Sequence, residues 1–193
     1  MIKPAVFLDR DGVINENRSD YVKGWEEFVF LPGVFEPLRL LAQNHQAIVV
    51  VSNQSAVGRG LVSRETVVAI HRRMQAEIQR RGGRVDAIYY CPHHPDAGCD
   101  CRKPRPGLLL RAARELSIDL SRSYLIGDAV SDIEAALAVG CTPIFVLTGR
   151  GQEQQPAVPF HALPGSARLR NRHHGRLLST GGRPVRGAHV RRV

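Results

Sequence analysis

The sequence predicts an α/β fold, a doubly wound parallel sheet, and three observations carry that expectation. Apolar runs of strand length alternate with helix-length segments along the first 150 residues. Several of these runs are continuously apolar, as strands buried on both faces require. Polar residues fall immediately after the runs, at the strand ends where open α/β sheets gather ligand-binding groups.

The first run, Ala5 to Leu8, ends in Asp9-Arg10-Asp11-Gly12, and Gly12 suits the sharp turn that must follow. Two carboxylates spaced this closely repel one another and call for a divalent cation or a bound proton. Residues 16–30 are polar and aromatic without a period, which predicts a loop beside the site. After Leu31-Pro32-Gly33, residues 34–44 form a helix with Leu38, Leu41 and Ala42 inward. Ala47 to Val51 is a second buried strand, ending in Ser52-Asn53-Gln54-Ser55. Ser63 caps a long helix to about Arg81, which Gly82-Gly83 stops. Ala87 to Tyr90 is a short third strand, followed by a cysteine-rich loop, Lys103-Pro104-Arg105-Pro106-Gly107 and a helix to about Ser117. Ser123 to Ile126 is a fourth strand ending in Gly127-Asp128, Ser131-x-x-Glu134 has the form of a capping box, and Thr142 to Leu147 is a fifth strand.

Composition bounds the function classes. The chain has 193 residues, 43% of them hydrophobic, enough for one real core. Met1-Ile2-Lys3-Pro4 leads straight into the first strand, which leaves no room for a signal peptide, and Ala47 to Val51 is too short to span a bilayer. A cytoplasmic protein without a membrane partner is expected. The net charge is +9, and seven of those charges lie in residues 151–193, with eight arginines and one acid, Glu153. A domain over 1–150 and an Arg-rich, disordered tail over 151–193 follow as expectations. The basicity belongs to the tail, so a nucleic-acid partner is not expected of the folded part.

Two constellations carry chemistry. Asp9, Asp11, Ser52, Lys103 and Asp128 converge on one sheet edge if the strands pair in a doubly wound order. Cys91, His93 or His94, Cys99 and Cys101 supply the three thiolates and one imidazole of a closed tetrahedral zinc site. A disulfide is the competing use, disfavoured in a reducing compartment. With no open coordination position, that zinc is structural, stapling a loop that has little to bury. Cys141 follows a helix-ending glycine and is expected to be buried and inert.

Asp9-Arg10-Asp11-Gly12, Ser52-Asn53-Gln54, Lys103-Pro104 and Gly127-Asp128-x-x-x-Asp132 resemble, in order, the motifs of the haloacid-dehalogenase-like (HAD) phosphatases over about residues 4–150. Phe7 to Asn15, Ser52 to Ser55 with Arg59-Gly60, and Cys91-Pro-His-His-Pro95 leading to Cys99-Asp-Cys-Arg-Lys-Pro104 resemble the D,D-heptose 1,7-bisphosphate phosphatases. Histidinol-phosphate phosphatases share nearly all of this pattern. The resemblance implies a Mg²⁺-dependent phosphatase with Asp9 as nucleophile and Asp11 as general acid–base. It implies Mg²⁺ held by Asp9, the Asp11 backbone carbonyl and Asp128, with Ser52 and Lys103 on the phosphoryl oxygens. Asp132 is taken to favour the N-terminus of its helix rather than the ion's water shell. The family pattern selects His93 as the zinc ligand. By family position the substrate, a small sugar phosphate, meets Asn17, Arg18, Tyr21, Asn53, Gln54, Ser55, Arg59 and Arg102, and an arginine can grip a second phosphate in a fork. No insertion is long enough for a separate cap domain, and a monomer is expected. The competing reading from another class is a zinc-containing nucleic-acid-binding protein whose Arg-rich arm makes the contacts.

Overall fold

The computed structural model describes residues 2–158. Five strands, β1 (Ala5–Leu8), β2 (Ala47–Asn53), β3 (Ala87–Cys91), β4 (Tyr124–Gly127) and β5 (Thr142–Phe145), form one sheet in the order β3-β2-β1-β4-β5. Every pairing is parallel, with Leu8 level with Val50 on one side and Ile126 on the other. The order reverses at β1, so the carboxyl ends of β1, β2 and β4 open onto a common crevice.

Side-chain alternation on β1 and β2 divides the core between two faces. Val6, Leu8, Ile48 and Val50 pack under α1 (Phe35–Ala42), the short α2 (Ser55–Gly58) precedes α3 (Arg64–Arg80), and α3 covers the same face with Ile70, Met74 and Ile78. Phe7, Val49, Val51 and Leu125 pack on the other face against Leu108 and Leu109 of α4 (Gly107–Leu116) and Ala135 and Ala136 of α5 (Val130–Leu137). The strands are thus covered on both sides, as their apolar runs require. Cys141 is buried in the second cluster, as expected of it. Among the described residues no helix is long and apolar enough to cross a membrane.

Two local expectations are corrected. Helix α5 begins before the predicted Ser131 box: Ala129 is its N-cap, and Asp132 Oδ2 accepts the Ala129 backbone N–H at 3.1 Å. Glu134 lies too far into the helix to reach that amide. The folded chain also runs past residue 150, through α6 (Gly151–Gln154) to Val158, which packs with Ile133 and Phe145. Few aliphatic residues mark this stretch, so hydrophobic periodicity could not reveal it. The disorder expected of the tail from residue 159 onward lies outside the described residues.

Helix α3 buries one polar side chain among its apolar ones. His71 is 5% exposed, with Nε2 3.2 Å from Arg10 Nη1 and its ring edge-on to Tyr90. Burial first, and then the Arg10 charge, push its pKa down to about 3, so the neutral ring accepts the Arg10 proton through Nε2. A depressed folded pKa gives stability that is complete above the unfolded value of about 6.5 and is lost as pH falls from there toward 3. By pH 5 the loss from this group is about 2 kcal/mol. His71→Gln keeps an acceptor without a titration, so urea unfolding is expected to show a smaller drop in stability from pH 7 to pH 5. Equal drops in both chains would contradict this account of His71.

Candidate active site

The crevice at the sheet edge is a cleft of about 480 Å³. It is lined by Asp9, Asp11, Ser52, Lys103 and Asp132, and by Asn17, Arg18, Tyr21, Asn53, Gln54, Ser55 and Arg102. Asp128 lies buried behind them. Of the predicted contact residues only Arg59 is absent: it caps the C-terminus of α2 and is exposed. Arg10, Ser131 and Arg150 line the cleft without having been singled out.

Lys103 is the centre of the charge arrangement. Its side chain is 2% exposed and its ammonium lies 2.6 Å from Asp132 Oδ1, 3.0 Å from Asp9 Oδ1 and 2.8 Å from the Val51 carbonyl oxygen, to which it donates. Two carboxylates and one backbone carbonyl therefore surround the ammonium. Burial opposes the charged form, but Asp132 and Asp9 overcome it and hold the ammonium above the usual lysine range. The backbone at Lys103 is fixed as well: its N–H donates to Asn53 Oδ1 at 3.1 Å and its carbonyl accepts from Asn53 Nδ2 at 3.0 Å. Asp132 thus does more than favour its helix N-terminus, with one oxygen on Ala129 and the other on Lys103.

One ammonium does not neutralise the carboxylates. Burial, reinforced by Asp132, Asp128 and Asp11 and opposed by Lys103, raises the Asp9 pKa to about 7. Burial also raises Asp128 to about 6, with Asp132 adding and the Arg150 amide opposing. One carboxylate oxygen each from Asp9, Asp128 and Asp132 lie within 4.8 Å of one another. Asp128 Oδ1 is buried without a hydrogen-bond partner, while its Oδ2 accepts the Arg150 backbone N–H at 2.7 Å. Hard oxygen donors, surplus negative charge and an unpartnered buried oxygen fit Mg²⁺. The Asp11 carboxylate stands outside this group.

Asp11 is turned to Arg10 instead. Arg10 Nη2 donates to both of its oxygens, at 2.8 and 3.0 Å, and Asn15 Nδ2 and Gln54 Nε2 add bonds at 2.9 and 2.8 Å. Burial opposes ionisation, but the Arg10 charge and these bonds hold the carboxyl below its usual range. Gln54 Nε2 also donates to Ser52 Oγ at 2.8 Å, which leaves the hydroxyl proton of Ser52 for another acceptor. The two aspartates, adjacent but for one residue, hold opposite electrostatic positions.

Next to Lys103 the cysteine-rich loop closes on itself. Cys91 Sγ lies 3.5 Å from Cys99 Sγ and 3.6 Å from His93 Nδ1, and Cys101 Sγ lies 3.2 Å from His93 Nδ1 and 3.5 Å from Cys99 Sγ. All four cysteines are free thiols. Four ligands at about 2.3 Å around a tetrahedral centre stand about 3.8 Å apart, so these groups could hold a zinc ion with small adjustment. His94 is elsewhere, its Nδ1 accepting the Asp96 backbone N–H. Arg102 follows the last ligand; its Nη1 is buried without a hydrogen-bond partner.

Several known proteins are similar to this chain. Residues 100–163 match a HAD-hydrolase-like family model. The D-glycero-β-D-manno-heptose-1,7-bisphosphate 7-phosphatase of Pseudomonas aeruginosa is 42% identical over 151 residues, 78% of this chain and 85% of that protein. The protein of the same name from Photorhabdus laumondii is 46% identical over 155 residues, 76% and 82% of the two. The crystal structure of the D,D-heptose 1,7-bisphosphate phosphatase of Bordetella bronchiseptica, complexed with magnesium and phosphate, superposes with a TM-score of 0.79 at 39% identity, covering 86% of this chain and 90% of that one. A sheet edge carrying buried carboxylates, a buried lysine and a Cys/His loop thus occurs in a chain that belongs to the D-glycero-β-D-manno-heptose-1,7-bisphosphate 7-phosphatase family of HAD-like enzymes.

Proposed function

We propose that the chain hydrolyses the 7-phosphate of D-glycero-D-manno-heptose 1,7-bisphosphate through an aspartyl-phosphate on Asp9. The observation that supports this most is the burial of Asp9 against the Lys103 ammonium at the mouth of a polar cleft. A phosphomonoester repels an anionic nucleophile, so a carboxylate can attack only where fixed positive charge screens it. Lys103 supplies part of that charge. Asp9, Asp128 and the Asp11 carbonyl would hold Mg²⁺, which would supply the rest of that charge and favour ionised Asp9.

In the first half-reaction Asp9 forms a bond to phosphorus while the bond from phosphorus to the C7 oxygen breaks, and Asp11 gives that alkoxide its proton. The resting cradle of Arg10, Asn15 and Gln54 favours ionised Asp11, and the charge of an entering phosphate dianion biases it the other way. In the second half-reaction water attacks phosphorus, Asp9 is released, and Asp11 takes the water's proton. Ionised Asp11 is the form this step needs. Ser52, with its hydroxyl proton free, donates to a phosphoryl oxygen. Arg102 serves the second phosphate, for which its unpartnered Nη1 is suited.

We assign the Cys91, His93, Cys99 and Cys101 cluster to structural zinc. The ion fixes a loop that ends at Arg102 and Lys103, so its loss displaces both cations from the cleft. Cys101→Ser is expected to lower zinc content and phosphate release together while the sheet persists by circular dichroism. Full activity in a zinc-free variant would contradict that role.

The reaction itself is tested by phosphate release with Mg²⁺ from the heptose bisphosphate, against histidinol phosphate as the rival. Preference for the heptose and loss of about a thousandfold or more in kcat for Asp9→Asn are expected. Preference for histidinol phosphate would keep the chemistry and overturn the substrate; persistence of turnover in Asp9→Asn would overturn the nucleophile.

A further inference from the structure

The loop after β5 reaches back across the sheet edge and closes on the turn that follows β1. Thr148 Oγ1 donates to the Gly12 carbonyl oxygen, and the Arg150 backbone N–H donates to Asp128 Oδ2 at 2.7 Å. The two glycines stand face to face. A Cβ added at Gly149 lies 2.5 Å from Gly12 Cα and 2.2 Å from Asp128 Oδ2. One added at Gly12 lies 2.0 Å from the same Asp128 oxygen. Both have φ in the left-handed region, +55° and +83°, so a side chain is opposed at each by backbone conformation as well as by space.

Beyond Arg150 the segment is anchored on the far side of Asp128. Gln154 Oε1 accepts the Val130 backbone N–H at 2.8 Å, and Val158 packs with Ile133 and Phe145. Asp128 is therefore gripped between β4, the turn after β1 and this loop. The grip distinguishes its two oxygens. Oδ2 is committed to a backbone donor that cannot rotate away, and Oδ1 is buried without a partner.

We propose that Thr148, Gly149 and Arg150 form a positioning element for the cation site, one that fixes the Asp128 carboxylate so that Oδ1 is the oxygen left for Mg²⁺. The proposal rests on the reading of Asp128 as a cation ligand. Pre-orientation of this kind raises affinity because the ligand does not have to be ordered when the ion binds. Arg150 enters through its backbone, so its side chain is not required. Thr148 enters through its hydroxyl, and Gly149 through its lack of a side chain.

The test is calorimetric titration of the full chain with Mg²⁺ in the absence of substrate, with zinc content and circular dichroism recorded for each variant. Thr148→Val and Gly149→Ala are expected to bind Mg²⁺ about tenfold or more weakly, the range typical of lost support around a ligand. Thr148→Ser, which keeps the hydroxyl, is expected to bind close to the unaltered chain. Should Gly149→Ala disturb the fold, the Thr148 pair decides alone. Unchanged affinity in Thr148→Val, or equal weakening in Thr148→Ser, overturns the role of the loop while leaving the cation site standing. Failure of the unaltered chain to bind Mg²⁺ overturns the cation reading and the positioning role with it.

Discussion

Three carboxylates buried around one ammonium set the terms for the rest of this molecule. Asp9 and Asp132 reach Lys103 directly, and Asp128 stands behind them with an unpartnered oxygen. Removing such groups from water is costly unless they are paired, and a single cation cannot pair with three anions. The arrangement persists because it is held from outside. Asn53 clasps the Lys103 backbone, Asp132 is tied to the first turn of α5, and the Asp9 and Asp128 oxygens accept backbone amides. What this network leaves over is negative charge, which a hard divalent ion and the phosphoryl group it attracts can use.

The second consequence is the separation of roles between Asp9 and Asp11. Strand alternation would set residues two apart on one face, but β1 ends at Leu8 and the chain turns at Gly12, so Asp9 and Asp11 enter different surroundings. Asp9 enters the carboxylate cluster, where burial favours the protonated form. Asp11 enters a cradle of donors, where Arg10 favours the ionised form. A bound divalent cation would reverse the Asp9 shift and favour its ionised form, so the proposed roles depend on the ion as well as on these surroundings. His71 stands behind Arg10 and accepts a proton of a guanidinium that is 1% exposed.

Much of this is legible in the sequence because strand ends are. Continuous apolar runs locate β1, β2, β4 and β5, and the polar residues just beyond them are Asp9, Asp11, Ser52 and Asp128. The helix cap at Ser63 is read correctly, since its Oγ accepts the Thr66 amide. The cluster of Cys91, His93, Cys99 and Cys101 is visible because three cysteines and a histidine crowd one polar loop. What escapes is whatever depends on long-range approach. His71 sits at helix spacing among Val67, Ile70 and Met74, so its pattern is that of any inward residue. Arg10 looks like a charge between two aspartates, and only the fold turns it inward. Arg59, expected near the site from its position in a motif, caps α2 and is exposed. The segment from Gly151 to Val158 joins the domain through a few specific contacts rather than a periodic apolar face.

If this charge arrangement makes Asp9 a nucleophile, the acyl-phosphate it forms can be caught. Rapid acid quench of the full chain during turnover of the heptose 1,7-bisphosphate with Mg²⁺, followed by mass measurement of the peptide that carries residues 4–15, reads it directly. The added mass of one phosphoryl group on Asp9, absent without Mg²⁺, is the expected result. Phosphate release with no adduct on that peptide under any quench time, or an adduct on a different residue, would contradict it.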